Sequence, residues 1–462
     1  MTQPSATSFH LLADDRRATA AWCAIAGFAC VVALMPGGFV PLLAAGVLLA
    51  VAGALWLPAY PEVALGALLA TSALDVMGRL AKVGPATVTA YQAVLGLTLL
   101  FVVGLVLTGR AKLSASGIDG WLALMLAAAL TVVPAAVNGP ASAVAFVSLA
   151  SSVVLVYLVM LLAPTPEQLY RVLVALAVVA AGLGVLAVAE RVGIFSVQEV
   201  YKTTADGIRA RVFFKDPNIF GGVLAAAAIT AVPLALGEKR WLRATALWAL
   251  VGAAVLGVVA TLSRGAFLGL VVGGVLAVIL SPVRTRTKIA LLGAGAGLLA
   301  VFVVVVLDPR WVADKVLGIG DESSALNRVY LAQAAMAMFA DNPIGIGPGM
   351  WKEIIPAYRP YDLPADLLES HTTYFTLLVE VGILGLIGFV GALAATGLRL
   401  VRALLVPASP HLVRVLLAAT ASGAAVLLVQ SVTYSMETSK FLWFLIGASL
   451  TAASFTSSKE SA

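Results

Sequence analysis

Apolar runs of about 18 residues or more alternate with short polar breaks from residue 19 to residue 455. As a helix, such a run is long enough to cross a hydrocarbon layer of roughly 30 Å. The runs fall at about 19–35, 39–57, 62–82, 87–108, 118–137, 140–162, 168–189, 217–236, 241–261, 264–281, 289–307, 372–400, 411–432 and 438–455. The run at 62–82 carries Asp75 and Arg79, spaced to pair across one helical turn, and reads as a partial or tilted element. The pattern predicts an all-α polytopic membrane protein with roughly 12–14 transmembrane helices. A β-barrel would show short alternating segments instead. The first run follows Arg16 and Arg17 as a signal sequence would. It lacks a small-residue cleavage site leading into a soluble domain, so it reads as a retained helix.

The polar breaks orient the threading. With the N-terminus in the cytoplasm, the short inside connections carry Arg16, Arg17, Arg110, Lys112, Lys239, Arg240, Arg243, Arg284, Arg286, Lys288, Arg399 and Arg402. The short outside connections carry far fewer basic residues, as the positive-inside rule requires. The expected division is a cytoplasmic tail at 1–18, N-terminal spans at 19–189, a periplasmic loop at 190–216, middle spans at 217–307, a large periplasmic loop at 308–370, C-terminal spans at 371–455 and a cytoplasmic tail at 456–462. Only the large loop is long enough for a small extramembrane subdomain; it holds Trp311, Trp351 and the turn Asn342-Pro-Ile-Gly345-Ile-Gly347-Pro-Gly349.

Composition agrees with this reading. The chain has 462 residues, 61% of them hydrophobic and 11% charged, where a soluble domain carries about a quarter charged residues. Mean hydropathy is +1.03. The net charge of +6 is accounted for by basic cytoplasmic loops, since the basic residues form no single stripe for nucleic acid. Cys23 and Cys30 lie in the first run and read as small apolar residues, without disulfide or zinc spacing.

Four polar groups converge on the outer face under this topology. The first is Arg209-Ala-Arg211-Val-Phe-Phe-Lys215-Asp216-Pro217-Asn218, in which Asp216 and Pro217 form a helix-start pair. Arginines at this depth also snorkel to the interface without binding anything. The second is Ser263-Arg264-Gly265, with Arg264 at a helix N-terminus where the macrodipole disfavours a cation. Either an anionic ligand or a structural ion pair would hold it there. The third is Asn327-Arg328, expected just ahead of a helical stretch at 329–339. The fourth is His371, one of only three histidines, with His10 in the N-terminal tail and His411 beside an inside loop. A helix N-terminus disfavours the imidazolium and keeps the ring available as a base; a boundary histidine can also simply pack. Glu380 lies deeper in the same run and calls for a partner.

Guanidinium forks suit phosphate oxygens. The sequence has no Asp-x-Asp pair and no histidine–carboxylate cluster at metal spacing. Arginines could therefore neutralise a leaving diphosphate while a neutral histidine takes a proton from an attacking hydroxyl.

At these residues the chain resembles the O-antigen ligase and polymerase superfamily of bacterial membrane glycosyltransferases. Arg264-Gly-Ala-Phe-Leu268 is similar to the ligases' Arg, three residues, Leu element, and His371 through Gly382 to their His, ten residues, Gly element. Arg209 with Phe214-Lys-Asp-Pro-Asn218, and Arg328 with Asn342-Pro-Ile-Gly345-Ile-Gly347, resemble the flanking segments. The resemblance runs from about Arg209 onward, and more loosely over the earlier helices. One departure is Thr372, where the family often has Asn after the histidine.

The resemblance implies a GT-C-like fold with one large periplasmic loop, in the bacterial inner membrane, with the active site facing the periplasm. It implies an undecaprenyl-diphosphate-linked glycan as donor, and lipid A-core or another glycan as acceptor, with no metal and no cofactor. Arg209 and Arg264 would hold the diphosphate, Arg211 and Arg328 would assist, and His371 would activate the acceptor. Ligase and polymerase remain open, as does a protein acceptor. A polyprenyl-lipid transporter is the reading from a different class. Transporters place charges near the midplane on repeated, broken helices, whereas here they gather at one boundary.

Overall fold

The computed structural model describes residues 60–74, 79–83, 86–109, 111–194, 208–305, 322–359, 369–407 and 409–457. The expected spans at 19–35 and 39–57, His10, both cysteines, Arg110, Asp75 and Trp311 lie outside the described residues. Within them the chain is a helical membrane protein. Its helices are α1 (Val63–Ser72), α2 (Ala90–Leu107), α3 (Asp119–Val132), α4 (Gly139–Leu162), α5 (Pro166–Arg191), α6 (Pro217–Gly237), α7 (Trp241–Thr261), α8 (Arg264–Leu280), α9 (Thr285–Val305), α10 (Glu322–Asp341), α11 (Trp351–Tyr358), α12 (Thr373–Glu380), α13 (Gly382–Leu404), α14 (His411–Thr433) and α15 (Lys440–Ser457). Seven of these described helices are long and apolar enough to cross a bilayer: α2, α4, α5, α6, α7, α13 and α14.

The expected span at 62–82 is corrected. Helix α1 stops at Ser72, and β1 (Arg79–Val83) pairs antiparallel with β2 (Ala86–Thr89). Arg79 therefore begins a strand instead of lying on a helix. The charges of Arg79 and Lys82 and the helix-breaking Gly84-Pro85 oppose an apolar helix through this stretch.

Helix α6 is the hub, buried along nearly its whole length among α5, α7, α8 and α14. Small residues make this possible, because lipid gives helices little hydrophobic reason to associate and close contact must supply it. A Cβ on Gly257 of α7 would lie 2.5 Å from the Gly184 Cα of α5, so those two helices touch backbone to backbone. On the other side, α13 packs on α3 and α15 packs on α4.

The expected single span at 372–400 is also corrected, since the structure breaks it into α12 and α13 at Val381 and Gly382. Gly382 has φ +76°, and a Cβ there would sit 2.5 Å from the Ile344 backbone. The break receives the glycine-rich turn between α10 and α11. The Ile346 amide donates to the Val379 carbonyl at 3.0 Å, the Gly347 amide to the Glu380 carbonyl at 3.0 Å, and the Ile383 amide to the Pro343 carbonyl at 3.3 Å. The Glu380 carboxylate, buried, accepts from the Gly349 amide at 2.8 Å and the Trp351 amide at 3.0 Å. This supplies the partner its depth demanded. Helices α10 and α11 and this turn close their own small apolar core, with Leu331, Met338, Ile346, Trp351 and Ile355 packed on Val379.

Candidate functional site

Three segments that sequence alone singled out meet at one end of the bundle. In the first, Asp216 caps α6 by accepting from the Asn218 amide at 2.6 Å, with Pro217 at the first helical position. The preceding turn is gathered by Glu190, the buried carboxylate near the end of α5, which accepts from the Arg211 amide at 2.8 Å and the Val212 amide at 2.7 Å. In the second, Ser263 caps α8 by accepting from the Ala266 amide at 3.3 Å, which leaves Arg264 as the first helical residue, exposed. In the third, His371 stands two residues before α12, half-buried.

Arg209 ties the first segment to the second. Its Nε donates to the Thr261 carbonyl at 3.1 Å and its Nη2 to Asn218 Oδ1 at 3.0 Å. Gln430 of α14 adds a further tie, donating from Nε2 to the Asn218 carbonyl at 3.0 Å while its amide flanks Gly265. Arg211 bonds within its own turn, Nη1 donating to the Lys215 carbonyl at 3.3 Å. Arg328 lies inside α10 rather than ahead of it, which corrects the expected helix start. Its side chain is largely solvent-accessible, yet the protein around the guanidinium lowers its pKa, and the charge of Arg264 lowers it further. These two cations thus stand within each other's field.

The third segment is fastened to the α14–α15 connection. Thr373 Oγ1 donates to the Tyr434 carbonyl at 3.0 Å and accepts from the Met436 amide at 2.8 Å. Ser370, Thr376 and Ser435 share a hydroxyl cluster beside it, Ser435 lying 2.9 Å from Ser370 and 2.8 Å from Thr376. The His371 and Tyr434 rings pack edge-to-face, with centroids 5.8 Å apart and planes at 72°. Burial pushes the imidazole below the ordinary histidine pKa, with Arg328 and Lys352 acting in the same direction and Glu369 and Asp216 against it. A depressed pKa keeps the ring neutral at physiological pH, as a general base requires.

Glu369, two residues before His371, organises this corner. Its Oε1 accepts from Lys215 at 3.3 Å and from Lys352, and its Oε2 accepts from the Tyr434 hydroxyl at 3.1 Å. Burial would raise its carboxyl, but the two ammonium groups hold it at about 2. Tyr434 and Lys352 had no signal in sequence spacing. Lys215 and Glu369 did, since each is within a few residues of a singled-out group.

Backbone strain marks the same three segments. Among the described residues, the non-glycine positions with positive φ are Val212 at 48°, Leu262 at 52° and His371 at 52°. One follows Arg211, one precedes Ser263-Arg264, and one is the histidine. Left-handed backbone at branched or bulky residues is costly and collects where surrounding structure enforces it, typically at functional sites. Among the described residues, no group of three or more His, Cys, Asp or Glu side chains is arranged to hold a metal ion.

No curated protein matches the chain significantly. The family comparison does give a match, and it covers Arg264, Arg328, the docking turn and His371, while Arg209 and Arg211 precede it: residues 248–390 of this polytopic membrane protein match the family model for O-antigen ligase.

Proposed function

We propose that the protein transfers a glycan from undecaprenyl diphosphate to an acceptor hydroxyl of lipid A-core, without a metal ion, on the periplasmic face of the bacterial inner membrane. The observation that carries this reading is a chain of charged groups: a half-buried, neutral-leaning His371 lies in the field of Arg328, Arg328 in that of Arg264, and Arg209 is tied to the turn before Arg264. Holding like charges together is unfavourable in a partly desolvated site. A bound diphosphate would reverse the sign of that term. Arg209 and Arg264 are assigned to the diphosphate, with Arg328 and Arg211 assisting.

In the reaction, the acceptor oxygen bonds to the anomeric carbon of the donor glycan. Its proton passes to the neutral His371 ring, and the bond from that carbon to the diphosphate oxygen breaks. The electron pair leaves with the lipid diphosphate, whose growing charge the guanidiniums offset. Lipid-linked glycans as substrates and a ligase or polymerase activity accord with the family match.

The test is transfer in detergent with purified protein, undecaprenyl-diphosphate oligosaccharide and EDTA, with lipid A-core supplied or withheld. Glycosylated lipid A-core, lost in His371→Ala, is the expected result. Longer lipid-linked glycan without the core acceptor would make the enzyme a polymerase. Lipid flux in liposomes without any glycan product would replace the reading with transport.

A further inference from the structure

Among the described residues Glu369 bonds to Lys215, Lys352 and Tyr434, none of them assigned to the donor, and so connects three elements around His371. Lys215 comes from the turn before α6, Lys352 from α11 and Tyr434 from the end of α14; all three donate to its carboxylate. The same Tyr434 packs its ring edge-to-face with the imidazole. The hydroxyl fixed on Glu369 and the ring fixed against His371 belong to one rigid side chain, so orienting one orients the other. Glu369 is also joined to His371 through Ser370 alone, and the hydroxyls of Thr376 and Ser435 hold Ser370 in place.

We propose that Glu369 is the positioning residue of the catalytic histidine: its carboxylate locks Tyr434 against the imidazole and places a fixed negative charge beside it. The proposal rests on the reading of His371 as the base. The charges that reach His371 come from every side of the corner. Glu369 and Asp216 favour its protonation, whereas Arg328 and Lys352 oppose it. Lys215 acts through its pairing with Glu369. Without the Glu369 carboxylate, burial and the surrounding cations would leave the ring a weaker base. With it, the ring is neutral but still basic enough to accept a proton in the transition state, the compromise a general base needs.

The experiment reads His371 directly, without donor or acceptor. Full-length protein in detergent is treated with diethylpyrocarbonate across a pH series, and carbethoxylation of the His371 peptide is quantified by mass spectrometry, with His411 as internal reference. Glu369→Gln keeps the size and an acceptor for Tyr434 but removes the charge. It is expected to move the His371 midpoint to lower pH and leave that of His411 in place. Lys352→Met is expected to move the His371 midpoint to higher pH. In the transfer assay, Glu369→Gln is expected to lower kcat about tenfold with the donor KM unchanged, and its acid limb to follow the chemical midpoint. An unmoved His371 midpoint in both variants overturns the proposal, as does a shift of the same sign in both. Because the midpoint is read without turnover, a wild-type protein that transfers no glycan would defeat the functional reading without obscuring this result.

Discussion

His371 and His411 stand at opposite ends of the bundle, each at or just ahead of a helix start, and they share almost nothing else. His411 opens α14 exposed and in regular geometry, with Nε2 3.1 Å from the Gly237 carbonyl. Cations outside the His371 corner bond across to other elements. Arg399 donates to the Ser116 carbonyl at 2.8 Å, and Arg171 pairs with the buried Glu62 at 2.7 Å. His371 has left-handed backbone, an aromatic ring packed edge-to-face with it, and the charges of Arg328, Lys352, Glu369 and Asp216, from other segments and its own, acting on it. Away from the His371 corner these cations join neighbouring elements of the bundle. Within it they are placed toward a point between segments. Position at a helix boundary is therefore not what makes a histidine a candidate base; the convergence of distant charges is.

The sharpest way to break that contrast is to delete each imidazole. His371→Ala is expected to reduce transfer about 10²–10⁴-fold with the protein still inserted, measured as turnover in detergent. Next, Arg264→Ala is expected to cost about 10²-fold in kcat, the scale for losing one charge-stabilising group, and Arg264→Lys should recover little because a lysine lacks the fork. A smaller effect, on stability rather than chemistry, separates the two ends structurally. Gly382→Ala imposes a left-handed alanine worth about 1–2 kcal/mol and a clash with Ile344, so it should lower the thermal midpoint, whereas Gly397→Ala meets open space and should not. The pH profile sharpens the contrast further. A base is active when deprotonated, so activity falls as pH drops through its pKa; the acid limb is expected below the usual histidine value of about 6.5. Smallest of all, His411→Gln should change transfer by less than about twofold, the scale of an exposed substitution away from the site.

What could be read beforehand follows from where the information is local. Asp216 with Pro217 and Ser263 before Arg264 are short patterns, and both caps form as written. Most spans between residues 87 and 455 are apolar over a sufficient length, so composition alone announces them. The break at Gly382 was hidden because its cause is not nearby: the apolar run continues, and only the turn at 343–349, which supplies the missing hydrogen-bond partners, makes interruption tolerable. The strand pair at 79–89 was missed because a length rule counts apolar residues and does not see that the ends of two neighbouring runs, parted at Gly84-Pro85, pair with each other. Tyr434 was invisible for the same reason as the break. It reaches His371 only through folding, across two intervening spans.

The attachment of Tyr434 to this corner has a consequence for biogenesis. His371 enters the membrane region ahead of α13 and α14, but the side chain that orients it follows both. During synthesis the histidine and all the arginines can be in place while the corner around the imidazole is still incomplete. The last of its walls arrives with the α14–α15 connection, so a chain arrested before that point would carry every charged group assigned to the donor and still have an unoriented base.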